Sequence, residues 1–421
     1  MMKKIKSLCI LCIYFINIFL WIFFKYFHLK KNIKNDTILI IPPDPQTVWG
    51  SRGDEAMLEV IIENYKQKGI TNFAIFVSNH ATITDTEHKD CKYYNKWYFY
   101  FPILGFIKAL NDIKPCEVVI IGADCMDGYY STLSTLARLT CIDLCDKYAI
   151  PYNIIGFSFN QYPYRRILLL YKLVSKNILF KLRDPISLKR FNKFTNCKSQ
   201  QVADSAFLLK PDGKCEDIIS IEKKIKILKH TDKKFIVGFN FHPMLLKNTT
   251  EHELNRAARI ISNELIEILT SHPNILLVII PHDNRGKVSD CNILKLIAEN
   301  IKKELYSERV IHIDKVYHAK QIKYIAGLLD MLICARMHLA IAALGMGVPV
   351  MTANYQGKFA GLFELFHLPN KYILELNELC SHTLVERFDE FYHDYEKIRN
   401  IVNLNKDTVI ALSSNNFNKN I

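Results

Sequence analysis

The stretch DMLICARMHLAIAALGMGVPVMTANYQGKFAG, Asp330 to Gly361, decides the reading of the fold. It opens with an apolar run, Met331 to Cys334, breaks to Arg336 and His338, and continues as a small-residue helical pattern through Ala340, Ile341, Ala343 and Leu344. That order predicts strand, turn and helix. Gly345, Gly347 and Pro349 close the helix, Val350 to Thr352 make a second buried strand, and Lys358 opens another helix after Gly357. Open α/β sheets bind ligands at the carboxyl ends of their strands, so Arg336, His338 and Lys358 are expected to converge on one anion.

Outward from this stretch, apolar runs alternate with helical patterns in two series. The first has strands at Thr37 to Ile41, Phe73 to Val77, Val118 to Ile121, Ile154 to Phe157 and Ile178 to Leu182, with helices such as Leu133 to Tyr148 between them. The second has strands at Phe235 to Phe239, Ile275 to Ile280, Val310 to Ile313, Met331 to Cys334 and Val348 to Thr352. Two such series predict an α/β protein with two Rossmann-like domains facing across a cleft, a GT-B-like arrangement. The expected divisions are an N-terminal anchor and basic flank over 1–35, a first domain over 36–210 and a linker over 211–233. A second domain with the donor site covers 234–370, and a helical tail with a frayed Asn-rich end covers 371–421. The aromatic segment Asp85 to Phe106 reads as packing under a loop, with a sugar platform as the alternative.

With 421 residues and 49% hydrophobic side chains, the chain is long enough for two cores and is not disordered. Its formal net charge of +13 favours acidic partners, but a Lys-rich solvated surface explains such an excess as well. No DNA- or RNA-reading motif is present, so no nucleic-acid partner is expected. The twelve cysteines lack paired zinc spacing and read as reduced, buried thiols; no metal is expected. Residues Ser7 to Phe24 carry no charge and suit a single membrane-spanning anchor. Lysines lie on both sides of that run, so orientation is not fixed by charge; a cleaved signal is the alternative.

Further motifs follow the strands. GSRGDEAML, Gly50 to Leu58, places Asp54 and Glu55 at a helix start after two glycines, where they serve either as caps or as site carboxylates. Gly122-Ala123-Asp124 follows a strand, with Asp127 and Gly128 behind it. These aspartates read either as sugar ligands or a base, or as an Asx turn. Arg183-Asp184 ends another strand, and an arginine fork there can grip phosphate or carboxylate, or simply pair with a neighbour. His282, in Pro281-His282-Asp283, is a weaker candidate of the same placement.

Taken in order, Gly-Asp-Glu at 53–55, Gly-Ala-Asp at 122–124, Arg-Asp at 183–184 and the block Arg336 to Gly361 resemble the polysaccharide pyruvyl transferase family. The resemblance spans roughly Gly50 to Leu368. Ala123 departs from it, standing where a second glycine is usual, and Gly156 to Asn160 matches the family's polar turn only loosely. The resemblance implies transfer of a pyruvyl group from phosphoenolpyruvate to a saccharide as a ketal. It implies Arg183, Arg336 and Lys358 as donor-binding residues, and His338, Asp124 and Asp54 as catalytic residues. Phosphoenolpyruvate is then a donor substrate, with no cofactor and no metal. The cytosol makes phosphoenolpyruvate, which favours a catalytic part on the cytoplasmic face.

Two rivals stand beside this. A GT-B glycosyltransferase with a nucleotide-sugar donor would also use a helix followed by a tight glycine turn, as in Ala-Leu-Gly-Met-Gly-Val-Pro-Val at 343–350. Such donors usually want a carboxylate near the next helix, where this sequence has Lys358. The other rival is a membrane-tethered glycan-binding relative without turnover.

Overall fold

A parallel strand covered on both faces reads as a continuous apolar run, and the runs above form such strands. The computed structural model describes residues 2–26, 35–83, 90–246, 250–283, 285–286, 289–354, 357–379 and 383–418. The chain divides into two units: Met1–Trp49, Met57–Ser205 and Leu412–Ile421 make the first, Gly50–Ala56 and Ala206–Ala411 the second.

In chain order the first half holds α1 (Met2–Tyr26), β1 (Thr37–Ile41), β2 (Thr47–Val48), α2 (Arg52–Gln67), β3 (Asn72–Ser78), β4 (Thr82–Ile83) and β5 (Cys91–Trp97). It continues with α3 (Pro102–Ile113), β6 (Glu117–Ile121), α4 (Thr132–Lys147), β7 (Tyr152–Ile155), α5 (Arg165–Tyr171), β8 (Leu179–Leu182), α6 (Pro185–Phe194) and β9 (Lys198–Gln201). Five of the strands make a parallel sheet in the order β5-β3-β1-β6-β7, and Leu39 of the central strand pairs with Ala74 and Val118. Ile38 to Ile41 and Val118 to Ile121 are wholly buried, which is why they lack polar residues. β8 and β9 form a separate parallel pair.

The second half holds α7 (Glu216–Thr231), β10 (Phe235–Phe239), α8 (Glu251–Ser271), β11 (Ile275–Ile279), α9 (Cys291–Ile301), β12 (Val310–His312), α10 (Ala319–Gly327), β13 (Met331–Cys334), α11 (Met337–Gly345) and β14 (Val350–Ala353). α12 (Phe359–Phe366), β15 (Ile373–Leu374), α13 (Leu376–Leu379), α14 (Thr383–His393) and α15 (Tyr395–Ser414) complete it. Its sheet is parallel throughout, in the order β12-β11-β10-β13-β14-β15. The central strands β11, β10 and β13 therefore end side by side.

Four expectations meet a different local structure. Of the aromatic segment 85–106, residues 85–89 lie outside the described residues. Cys91–Trp97 is the edge strand of the first sheet, and Phe76, Trp97 and Phe106 pack ring to ring beneath it. The charged stretch 211–233 contains α7, which buries only Ile218 and Ile225, a stripe too thin to show as periodicity. In the tail, Ser413 and Asn416 are buried rather than frayed. Asn416 accepts from the Gly156 amide at 2.8 Å and donates to the Ala203 carbonyl at 2.8 Å, and its own carbonyl accepts from Lys181. Finally, α1 contains a span, Cys9–Tyr26, long and apolar enough to cross a membrane, yet one of its faces is buried: Tyr14, Asn17 and Trp21 pack against the first unit. The basic flank at Lys30, Lys31 and Lys34 lies outside the described residues.

Asn416 thus holds two buried backbone groups that have no water to turn to. Asn416→Ala is expected to lower unfolding free energy by about 2–4 kcal/mol, read as a reduced urea midpoint at unchanged slope.

Candidate active site

In the second unit, β10, β11 and β13 each run apolar to their carboxyl ends and then turn polar: Asn240 and His242, His282 and Asp283, and Arg336. Arg336 stands at the N-cap of α11 and is only 8% exposed. Its Nη1 lies 3.1 Å from Asp283 Oδ2 and its Nε 3.4 Å from Asp290 Oδ2. Asp290, fully buried before α9, also accepts from the amide of Asp283 at 2.7 Å and from Asn240 Nδ2 at 2.9 Å. Burial pushes its carboxyl up, and the Arg336 charge opposes that rise. Arg285 also forks onto Asp283, with Nη2 at 2.7 Å from the same Oδ2. Two carboxylates therefore fix one guanidinium in a buried place, the arrangement a positioned anion-binding arginine needs.

Around this arginine the field is positive. His282 is buried, and its imidazole is pushed well below its ordinary value of 6.5 by burial first and then by Arg336, His338, Arg52 and Arg285. His242 is lowered in the same way, by burial and then by Arg336 and Lys358. Two neutral imidazoles amid several cations mark a place where negative charge is welcome.

The segment Gly50–Ala56 belongs to this same unit. Arg52 pairs with Glu55 and donates to the Val316 carbonyl at 3.2 Å. Glu55 is fully buried, but it caps a distant helix rather than its own. Its Oε1 accepts from the Ala319 amide at 2.9 Å at the start of α10 and lies 3.0 Å from His318 Nδ1. Gly53 lies against the imidazole of His338: a Cβ there would come within 2.2 Å of Nδ1. Only a glycine leaves room for His338. Arg52, His282, Lys323 and His338 line a small cavity together with Ala206 and Ile322. Lys323 donates to the Phe207 carbonyl at 2.8 Å, and burial lowers its ammonium to about 8.

Arg336, His338, Lys358 and Asp54 thus belong to the second unit, with Asp54 half-buried beside Gly53. Asp124 and Arg183 belong to the first. There Arg183 is buried, with Nη1 at 2.8 Å from Asp204 Oδ2 and Nε donating to Ser158 Oγ at 2.6 Å. Asp184 caps α6, accepting from the amide and hydroxyl of Ser187. Asp127 resolves as the Asx turn, accepting from the amides of Tyr129 and Asn160, while Asp124 is half-buried. Ala123 has φ +44°, the left-handed region that glycine fills without cost.

Residues 52–357 match the model of the polysaccharide pyruvyl transferase family. The chain belongs to that family. It is accordingly a transferase. No curated protein sequence matches it. Among solved structures it resembles a protein described as a UDP-N-acetylglucosamine 2-epimerase from Listeria monocytogenes, with TM-score 0.54, 10% identity and coverage of 93% of this chain and 98% of that one. It also resembles UDP-GlcNAc 2-epimerase from Neisseria meningitidis bound to UDP-GlcNAc, with TM-score 0.53, 14% identity and coverage of 91% and 100%. Identities this low carry the fold, which is of the GT-B type, and nothing about substrates.

The family match begins at Arg52, inside the short segment that clusters with the second unit. Asp290 and Lys323 carry no sequence signal as site residues, because an Asp before a helix and a Lys on a helix are both ordinary. Arg52 between two glycines was the available hint.

Two outcomes follow from this geometry. Gly53→Ala should favour α2 by about 1 kcal/mol through helix propensity while displacing His338, so transferase activity should fall roughly 100-fold with an unfolding free energy changed by less than about 2 kcal/mol. His282 and His242 are held neutral in the folded chain but take protons when unfolded. Stability should therefore fall as pH drops below 6.5, by up to about 1.4 kcal/mol per pH unit for each imidazole. His282→Gln should flatten the slope of urea stability between pH 6.5 and 5.

Proposed function

We propose that the protein transfers a pyruvyl group from phosphoenolpyruvate to two hydroxyls of a saccharide, forming a pyruvate ketal and releasing phosphate. The observation that carries this reading is the buried Arg336, fixed by Asp283 and Asp290 beside two neutral imidazoles and within the same unit as His338 and Lys358. Phosphoenolpyruvate brings a phosphate and a carboxylate into one small volume, and taking both out of water requires several positioned cations. Arg336 and Lys358 are the donor-binding groups in this reading.

The reaction needs a proton on the methylene carbon of the donor, which leaves an oxocarbenium-like centre at the neighbouring carbon. One sugar hydroxyl adds there and loses its proton, the carbon–oxygen bond to phosphate breaks, and the second hydroxyl closes the ketal with loss of its own proton. One proton ends on the new methyl group and one on phosphate, so the two hydroxyl protons balance the exchange, and no cofactor is called for. His338, held against Gly53, is the proposed proton shuttle, and Asp54 is the carboxylate proposed to take a hydroxyl proton. The donor is cytosolic, so we place the catalytic units on the cytoplasmic face of a membrane to which α1 tethers them.

The GT-B fold supports a nucleotide-sugar donor as the rival reading. The two separate in one assay. The full-length chain in detergent is given phosphoenolpyruvate or UDP-sugars with a panel of galactosides and of N-acetylmannosamine and glucose glycosides. Acceptor-dependent phosphate release, with a pyruvate-sized mass gained by the sugar and a loss of about 10²–10⁴-fold in kcat on His338→Ala, is expected. Turnover of UDP-sugars alone would replace this reading with the rival. Phosphoenolpyruvate that binds and never reacts with any acceptor would favour a binding protein.

A further inference from the structure

A spanning helix in lipid has every backbone group satisfied internally and shows apolar side chains to the bilayer. α1 has two unlike faces. Tyr14, Asn17, Trp21 and Lys25, at helical spacing, form one of them. Trp21 Nε1 donates to Asp143 Oδ2 at 2.8 Å, and Lys25 Nζ lies 2.9 Å from the same oxygen. Asp143 is fully buried in α4, so α1 supplies two of the donors that keep this carboxylate out of water. Asn17 Nδ2 donates to the Tyr100 carbonyl, Tyr14 to the Arg166 carbonyl and Lys25 to the Leu173 carbonyl. The docked stretch runs from Tyr14 to Lys25. That stretch lies inside the apolar span Cys9–Tyr26. The span cannot keep these contacts along one face and also be surrounded by lipid.

The other face is apolar and open. Phe15, Phe19 and Phe23 recur every fourth residue, with Phe19 66% exposed and stacked on Phe23. The apolar surface continues onto the segments that hold α1. Phe99 and Tyr100 are exposed where Asn17 docks, and Leu169 and Leu173, one turn apart, are exposed where Tyr14 and Lys25 dock. Arg165, Arg166, Lys172 and Lys176 are exposed around those leucines. Contiguous apolar area rimmed by basic residues, with aromatic rings at the edge, is the composition of a surface that lies in a lipid headgroup layer.

We propose that α1 lies in the plane of an anionic membrane surface, with its Phe15, Phe19 and Phe23 ridge and the Leu169 and Leu173 turn inserted among the lipids, rather than spanning the bilayer. The proposal takes its partner, a membrane, from the tether assigned above, and does not depend on the chemistry at His338. α1 then does two jobs with opposite faces. Its polar face completes the first unit, and its apolar face holds that unit at the membrane.

The test uses the full-length chain. Flotation with vesicles of phosphatidylcholine plus phosphatidylglycerol should recover it, less so with phosphatidylcholine alone, and the difference should shrink with salt. Phe15→Glu with Phe19→Glu should weaken vesicle binding at least about 30-fold while near-ultraviolet circular dichroism is retained. Leu169→Glu with Leu173→Glu, outside α1, should act in the same direction. In sealed membrane vesicles, tags at the two termini should be digested from the same side. An N-terminal tag protected on the opposite side would overturn the proposal in favour of a span. Failure to bind vesicles would also overturn it. In that case, a dimer that Phe15→Glu with Phe19→Glu dissociates would name a second copy as the occupant. Phosphate release from phosphoenolpyruvate, measured on the same preparations, reports separately on the catalytic reading.

Discussion

A strand covered on both faces of a parallel sheet has no place for charge until it ends. This constraint organises the second unit. β10, β11 and β13 lie next to one another, and each becomes polar within a few residues of its last paired position, delivering Asn240, Asp283 and Arg336 to one edge. The helices that follow turn their first residues toward the same edge, which adds Asp290 before α9 and His338 at the start of α11. The chemistry is local to that edge because the sheet interior excludes it.

What the edge then builds is an excess of positive charge whose orientation is fixed by carboxylates. Asp283 and Asp290 hold Arg336, and Glu55 holds Arg52 while capping α10. Each carboxylate therefore compensates a buried cation and restricts where it can point. The imidazoles stay neutral under this field.

The first unit obeys the same sheet rule but spends its polar ends differently. Arg183 is braced by Asp204 and Ser158, Asp184 and Asp127 act as caps, and Asn416 from the far end of the chain closes the edge near Gly156. α1 is bound to this unit through Asp143, so truncating the chain before residue 34 would strip a buried carboxylate of the donors from Trp21 and Lys25. Apolar composition described that helix correctly, but not which of its faces meets protein.

The sequence by itself determined the elements and their chemistry. Apolar runs bounded by Gly, Pro and charge gave nearly every strand of both sheets. The order of Gly-Asp-Glu, Gly-Ala-Asp, Arg-Asp and the Arg336 to Gly361 block indicated the family. These signals are legible because periodicity and turn residues act over a few neighbours. The weak stripe of α7 and the edge strand Cys91–Trp97 escaped because the one buries two residues and the other alternates without an apolar run. Tertiary structure alone decided the partners: Asp290 for Arg336 at 46 residues' separation, Gly53 for His338, and Asp143 for Trp21 at 122. Such pairs are set by strand order and helix docking, and nothing in the spacing of a one-dimensional chain records which strand lies beside which.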